Sequence, residues 1–197
     1  MDEVRKRLLR EWPERELLPD GKGEAPLREA AVLIPLYVRD KELFTLLTRR
    51  TDAVEHHKGQ ISFPGGSREP SDANLWDTAV RETEEEIGLP RSAARLLGTL
   101  PRIVTVTDFE VSPFVAAIPY PFELKPHRHE VERILEVPVS YLMNPRVVEE
   151  RSIRWKGREL RTPVYHYSGD AIWGATAFML GDLLEALSSA GPPLPAA

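Results

Sequence analysis

Residues 81–89 read Arg-Glu-Thr-Glu-Glu-Glu-Ile-Gly-Leu, and the rest of the chain is organised around this stretch. On a helix, Glu82, Glu85 and Glu86 are spaced i, i+3 and i+4, so their carboxylates share one face. Like charges at this spacing repel by about 0.2–0.5 kcal/mol per pair in an isolated helix. A hard divalent cation such as Mg²⁺ or Mn²⁺ would relieve this repulsion, because such ions prefer carboxylate oxygens and water.

An apolar stripe adjoins the acidic face. At about 100° per residue it covers an arc of roughly 140°, and its members are Leu75, Trp76, Ala79, Val80, Thr83 and Ile87. The carboxylates therefore lie beside the core rather than opposite it. The same geometry predicts that Arg81 points toward Asp77 and Glu84. Asp72 can cap the start of the helix, and Gly88 ends it.

A diglycine, Gly65-Gly66, precedes the helix, where glycine lets backbone approach a ligand closely. An acidic run taken alone is more often a solvated helix face. The diglycine and the helix boundaries reverse that preference. The pattern therefore favours a metal or phosphate site over a simple solvated surface.

These residues resemble the Nudix hydrolase family. Its box reads glycine, five residues, glutamate, seven residues, Arg-Glu, an aliphatic, any residue, Glu-Glu, any residue, glycine and an aliphatic. Residues 81–89 match every fixed position of its second half except Thr83, which occupies an aliphatic slot.

The loop before the helix departs from the box. Counting back from Arg81 places the box glutamate on Ala73 and the box glycine on Ser67. One extra loop residue restores the alignment, with Asp72 or Glu69 as the acidic replacement.

A second signature lies upstream. Residues 46–50 read Leu-Leu-Thr-Arg-Arg, and residues 57–66 read His-Lys-Gly-Gln-Ile-Ser-Phe-Pro-Gly-Gly. Both are similar to the coenzyme A pyrophosphatase branch, which has a comparably lengthened loop. The resemblance implies an α+β fold, a Nudix-type α/β/α sandwich with a mixed β-sheet.

The predicted organisation is one Nudix domain over residues 28–190. It follows a helix and loop extension over residues 1–27 and precedes a mobile tail over residues 191–197. Apolar spacing predicts an N-terminal helix within residues 2–18. The last helix is predicted to open within residues 172–177 and to run to about 187. Strands are predicted over 31–38, 43–48, 96–100, 103–107 and 111–118, with a hairpin of 147–154 and 159–167. Residues 131–137 could be strand or helix by period, and the resemblance favours a strand.

The resemblance implies hydrolysis of the coenzyme A diphosphate to 3′,5′-ADP and 4′-phosphopantetheine, from coenzyme A or an acyl form. The implied metal ligands for Mg²⁺ or Mn²⁺ are Glu82, Glu85, Glu86 and Gly66. Arg81 would orient the glutamates. The general base stays open between a metal-bound hydroxide assisted by Glu82 or Glu85 and a distant acid, for which Glu130 is the candidate.

The loop before the diglycine is rich in basic residues. Its functional interpretation is a substrate loop that meets phosphate charge, and the alternative is an ordinary surface loop. The histidines show no HExxH spacing, so a metal role for them is disfavoured. The candidate substrate-binding residues are Arg49, Arg50, His57, Lys58, Gln60 and Gly65.

Two other functions compete with this hypothesis. One is a Nudix pyrophosphatase of another nucleoside diphosphate derivative, such as ADP-ribose, NADH or a dinucleoside polyphosphate. The other is a catalytically silent binding module with the same fold. The presence of all three glutamates disfavours the second.

The composition of the chain further limits the classes of function that it can have. The 197 residues carry a net charge of −5 and no cysteine, which argues against broad nucleic-acid binding and excludes thiol chemistry. No secretory signal or membrane-spanning apolar run is evident, so a cytoplasmic location without a membrane partner is predicted. The expected partner is a small nucleoside diphosphate derivative. The oligomeric state stays open, with a homodimer as one option.

Overall fold

The computed structural model describes residues 1–8, 26–52, 59–155 and 158–188. Its helices are α1 (Asp2–Leu8), α2 (Leu75–Ile87), α3 (Val139–Leu142) and α4 (Ala175–Ser188). Its strands are β1 (Arg28–Arg39), β2 (Glu42–Arg50), β3 (Ile61–Ser62), β4 (Gly65–Ser67), β5 (Arg95–Thr99), β6 (Ile103–Val104), β7 (Phe109–Ala117), β8 (Val131–Pro138), β9 (Val148–Trp155), β10 (Arg158–Tyr167) and β11 (Asp170–Ile172).

The larger sheet positions the site. Its main strands run in the order β3-β2-β1-β7-β5, while β4 pairs with β1, β6 with β7 and β8 with β2. β1 and β7 are parallel, whereas β1 and β2, and β5 and β7, are antiparallel. A smaller antiparallel sheet runs β11-β10-β9. The predicted mixed sheet is confirmed.

Helices cover both faces of the larger sheet. Neighbouring β1 residues face opposite sides, so Leu33 packs in the core under α2 and Ile34 in the core shared with α1 and α4. α1 lies against β5, since a Cβ added to Gly98 would come within 2.7 Å of Leu8 Cβ. The α/β/α sandwich is therefore confirmed.

The boundaries of α2 follow from its caps. Asn74, not Asp72, caps the start, and its side chain accepts the amide of Asp77 at 3.1 Å. Gly88 ends the helix in the left-handed conformation, with φ 72°. Thr83 fits its buried aliphatic slot because its hydroxyl donates to the Ala79 carbonyl at 2.7 Å.

Several element predictions need correction. β11 stands where the last helix was expected to open, because Ile172 is buried in register with Tyr165, and α4 begins at Ala175. The strand expected over 103–107 stops at Val104, where the chain turns toward Asp108 at φ 60°. Residues 9–25 of the predicted N-terminal helix and loop, the hairpin turn at 156–157 and the predicted tail lie outside the described residues.

No helix in the described ranges combines the length and the apolar character that a membrane span requires.

Candidate functional site

Arg81 forms a buried ion pair at the centre of the site. Its Nε lies 2.9 Å from Asp72 Oδ1 and its Nη2 lies 3.0 Å from Oδ2. Asp72 also accepts the Thr78 hydroxyl at 2.9 Å and the Glu69 amide at 2.9 Å. The Arg81 hydrogen bonds, opposed by burial, hold the pKa of Asp72 well below its usual range, and the pairing raises the pKa of Arg81. Of the two acids left open by the sequence, Asp72 is the one that pairs closely with Arg81.

The remaining nitrogen of Arg81 reaches the acidic face. Nη1 donates to Glu82 Oε1 at 2.9 Å and to Glu85 Oε2 at 3.2 Å. The prediction that Arg81 points toward Asp77 and Glu84 is therefore wrong. Helical side chains lean toward the N-terminus of their helix, which is where the buried carboxylate of the ion pair lies. Arg81 consequently fixes two of the three glutamates.

The diglycine lies in β4, paired with β1 through Ala31 and Val32. A Cβ on Gly66 would lie 2.5 Å from the Glu82 carboxylate, and the Gly65 amide donates to Glu86 Oε2 at 3.3 Å. The sequence placed these glycines in a loop at the helix N-terminus. They instead face the second half of α2, because the chain needs residues 67–74 to return to the helix start.

Glu86 is the most buried of the glutamates, with 3% of its surface exposed. Its Oε1 accepts Arg50 Nη1 at 3.4 Å, a long contact that compensates only part of its lost hydration. Burial raises the pKa of Glu86 to about 8, opposed by the Arg50 charge. The Nε of Arg50 is also buried, without a hydrogen-bond partner among the described residues. This corner therefore holds incompletely satisfied polar groups.

Glu130 lies on a loop that is attached to the end of α2. The amide of His127 donates to the Glu86 carbonyl at 2.8 Å, and His127 Nδ1 lies 3.3 Å from Glu130 Oε1. Burial raises the pKa of Glu82, and repulsion from Glu85 and Glu130 adds to the shift. The negative charge of the candidate base therefore acts on Glu82 and Glu86, although no sequence spacing linked Glu130 to the helix.

The other predicted substrate residues lie on the neighbouring strands. Arg49 donates to the Gly59 carbonyl at 3.5 Å and pairs with Glu132 at 3.0 Å and with Asp170 at 3.8 Å. The Gln60 carbonyl accepts the amide of Arg50, beside β3. His57 and Lys58 lie outside the described residues.

The donor set fits a divalent cation that keeps part of its hydration shell. Glu82 and Glu86 lie one helical turn apart, and burial raises the pKa of both. Within the described ranges, no three carboxylate or imidazole side chains are grouped to hold an ion by themselves. Mg²⁺ usually retains waters and uses one or two carboxylates with substrate phosphates. Glu85, whose side chain is 57% exposed, lies at the rim beside Arg81.

A family model for the NUDIX domain matches residues 27–159, which contain the sheet, the diglycine and α2. The chain belongs to the Nudix family. α2 is accordingly its Nudix helix, and the protein is a Nudix pyrophosphohydrolase, a hydrolase of phosphoric anhydrides. Nudix hydrolases generally use divalent metal ions.

Relatives agree with this assignment. The chain is 35% identical over 156 residues to a protein described as the uncharacterized Nudix hydrolase NudL of Enterobacter sp. strain 638, covering 79% of this chain and 81% of that protein. It is 34% identical over 165 residues to the corresponding protein of Yersinia enterocolitica, covering 84% of each. A crystal structure of a Nudix hydrolase from Alicyclobacillus acidocaldarius superposes with a TM-score of 0.50 at 23% identity, covering 61% of this chain and 82% of that one. This last likeness concerns the fold.

The sequence patterns of this Nudix protein did not predict the contact between Arg50 and Glu86. The two residues lie 36 positions apart, on β2 and on the Nudix helix. The sequence offered Arg50 only as a phosphate partner. No periodic pattern relates a strand end to a helix end, so the contact has no local sequence signal.

Alanine variants of the two glycines beside the Nudix helix are expected to differ, one losing stability and the other losing activity. In Gly65→Ala the new Cβ would lie 2.3 Å from the Ala31 carbonyl oxygen, with φ at 153°, so we expect a loss of stability of about 2 kcal/mol or more. In Gly66→Ala the clash falls on the end of the Glu82 side chain, which can move. We expect a near-native melting temperature and at least about tenfold lower activity. Thermal unfolding and steady-state kinetics measure both; equal stability loss in the two variants would contradict this prediction.

The buried carboxylate predicts a pH-dependent stability of the metal-free Nudix domain. The pKa of Glu86 is about 8 when folded, against about 4.3 in an unfolded chain, so the folded state binds more protons between these values. Stability from this group is fully present below the lower value and is lost as pH rises through 8, by up to about 1.4 kcal/mol per pH unit. We expect melting temperatures in EDTA to fall from pH 6 to 8.5. Glu86→Gln should flatten the fall, and an identical slope in that variant would contradict the assignment.

Proposed function

We propose that this protein hydrolyses the diphosphate of coenzyme A, or of an acyl-coenzyme A, to 3′,5′-ADP and (acyl-)4′-phosphopantetheine with Mg²⁺ or Mn²⁺. The observation that carries the proposal is the pair of desolvated carboxylates, Glu82 and Glu86, against Gly65 and Gly66. Two such carboxylates favour a cation that can share its coordination with a diphosphate. The choice of coenzyme A rests on the similarity of residues 46–66 to that branch of the family.

The glutamates would divide the metal-binding role. Glu82 and Glu86 would hold the ion directly, while Glu85 and the backbone of Gly66 would complete the site from its rim. The bound metal neutralises phosphate charge and lowers the pKa of a coordinated water. Arg81 would position Glu82 and Glu85, because the Asp72 pair fixes the plane of its guanidinium.

Basic groups would orient the substrate. Arg50 lies against Glu86 and would donate to the diphosphate beside the metal. The side chain of Arg49 is 31% exposed, and its pair with Glu132 is half open to water. Such a pair contributes little to stability, and the second pair of Arg49, with Asp170, is long at 3.8 Å, so Arg49 would turn toward the 3′-phosphate. Gln60, Gly65 and the loop residues His57 and Lys58 complete the proposed contacts.

Proton removal would fall to Glu130 or to the glutamates of the helix. The negative charge of Glu130 acts on Glu82 and Glu86. His127 Nδ1 lies 3.3 Å from Glu130 Oε1. His127 would hold the Glu130 side chain in position while the carboxylate accepts a proton from the attacking water. The alternative, in which Glu82 or Glu85 assists directly, predicts that Glu130→Gln retains most of kcat.

A second candidate substrate is another nucleoside diphosphate derivative, such as ADP-ribose, NADH or a dinucleoside polyphosphate. The metal-facing residues serve any diphosphate, so the two candidates differ only in what lies beyond it. Arg49 would favour coenzyme A because its partly exposed guanidinium could pair with the 3′-phosphate, which the other candidate substrates lack.

A product-resolved assay tests the proposal. Coenzyme A, acetyl-coenzyme A, ADP-ribose, NADH and a dinucleoside polyphosphate are incubated with Mg²⁺ or Mn²⁺, and nucleotide products are separated by chromatography. We expect 3′,5′-ADP from coenzyme A, at the highest kcat/KM of the series. Arg49→Gln should raise KM for coenzyme A more than for 3′-dephospho-coenzyme A. Cleavage of ADP-ribose or NADH without 3′,5′-ADP formation would overturn the coenzyme A assignment alone.

A further inference from the structure

We infer that this protein has a second ligand site, a groove at the N-terminal end of α2 that accepts a planar aromatic ring bearing an oxyanion. The groove has a volume of about 470 Å³ and is bounded by the loop before α2, the end of β5 and strand β7. This volume lies within the range of small-molecule sites. Trp76 in its wall lies ten residues before Glu86, or about 15 Å along the helix axis. Glu82, the nearest glutamate of the acidic face, lies six residues after Trp76, or about 9 Å along the axis, so the groove borders the N-terminal end of α2 and the acidic face its second half.

An unsatisfied hydroxyl lies in the wall of this groove. Ser112 is 7% exposed, and its Oγ is buried with no hydrogen-bond partner among the described residues. Phe114 and Ala116 of β7 pack in the core under α2, and strand alternation places Ser112 on that same face. A buried polar group without a partner costs free energy. Because the Oγ itself has almost no exposed surface, a ligand atom would become its partner when the Ser112 side chain turns toward the groove.

The lining carries positive charge without a carboxylate. Arg68 and Arg102 lie at its rim, and none of the described residues that line it is acidic. Each arginine has an outer ion pair, Arg68 with Glu29 and Arg102 with Glu110, and these pairs are solvent-exposed. Exposed ion pairs contribute little to stability, so the two guanidinium groups can turn toward the groove. The first amides of α2 have no helical acceptor and add to the preference for an anion.

Aromatic side chains form the apolar wall. Trp76 and Phe114 pack edge to face, with ring centroids 5.7 Å apart, and both are only partly buried. A planar ring can stack on such a wall. The oxyanion would then reach the arginines, and a polar ring atom would reach Ser112. A carboxylate or a phosphate meets these requirements equally.

Calorimetric titration of the metal-free full-length protein in EDTA tests the site. The probes are AMP, indole-3-acetate and the ring-free ribose 5-phosphate. We expect saturable binding of at least one ring-bearing anion with Kd below about 1 mM, and at least about tenfold weaker binding of ribose 5-phosphate. Binding of AMP alone identifies a nucleotide ligand, and binding of indole-3-acetate alone identifies an aromatic acid.

Variants separate this groove from the catalytic face. Arg68→Gln with Arg102→Gln should weaken binding about tenfold or more, whereas Arg91→Gln with Arg146→Gln, which removes the same charge elsewhere, should leave it unchanged. Ser112→Ala should weaken binding about threefold to tenfold without lowering the melting temperature.

Glu85→Gln alters the acidic face and should not change binding in the groove. The inference is overturned if no ring-bearing anion binds, if the two double variants behave alike, or if Glu85→Gln abolishes binding.

Discussion

Glu86→Gln is expected to lower kcat by more than about 100-fold and, at pH 8 without metal, to raise the melting temperature. Loss of outer-shell partners of metal ligands already costs about 10–100-fold, and we propose Glu86 as a ligand itself. The stability change has the opposite sign because the amide removes a charge that is 3% exposed and incompletely paired. Steady-state kinetics over a Mg²⁺ series and thermal unfolding in EDTA measure the two effects.

Glu84→Gln is the matched control. It makes the same change on the same helix, but Glu84 is exposed and pairs with Arg91 at 3.0 Å, away from the acidic face. We expect its activity and metal dependence to stay within about twofold of the parent. Equal loss of activity in both variants would mean that helix charge in general, rather than Glu86, supports catalysis.

Arg81→Leu is expected to destabilise the protein by about 3–5 kcal/mol, because it leaves Asp72 buried without its counter-charge. For a chain of this size the melting temperature should fall by about 10 °C. Activity should be lost as well, since Glu82 and Glu85 lose their common donor. Denaturant titration gives the free energy of unfolding, and Arg91→Leu, which breaks an exposed pair, should cost less than about 1 kcal/mol.

The double variant Asp72→Leu with Arg81→Leu distinguishes stability from positioning. Removing both charges relieves the uncompensated burial, so we expect part of the stability to return; the Thr78 hydroxyl and the Glu69 amide, which lose their acceptor, account for the remainder of the loss. Activity should not return, because nothing then fixes Glu82 and Glu85. A double variant as unstable as Arg81→Leu alone would show that the buried pair is not the source of the loss.

The acidic face and the C-terminal end of the Nudix helix could be predicted from the sequence, whereas the helix start is capped by Asn74 and not by the predicted Asp72. Helical periodicity is local, so Glu82, Glu85 and Glu86 had to share a face once residues 75–87 formed a helix. Gly88 ends that helix by a conformation that glycine adopts without strain. The two signatures also predicted the sandwich and the mixed sheet, which are confirmed.

The partners of the acidic face could not be predicted, because they depend on contacts between distant segments. Asp72 and Glu69 looked equivalent in the sequence, and only burial selected Asp72 for Arg81. The diglycine faces the second half of the helix because β4 pairs with β1, which no local pattern encodes.

The sequence by itself therefore determined which carboxylates stand together, since that follows from the pitch of one helix. The tertiary structure decided how strongly these carboxylates favour a bound cation. Packing against β4 and β2 removes water from Glu82 and Glu86 and supplies only partial compensation from Gly65 and Arg50. Desolvation depends on all the atoms that surround a group. These surroundings exist only once the chain has folded.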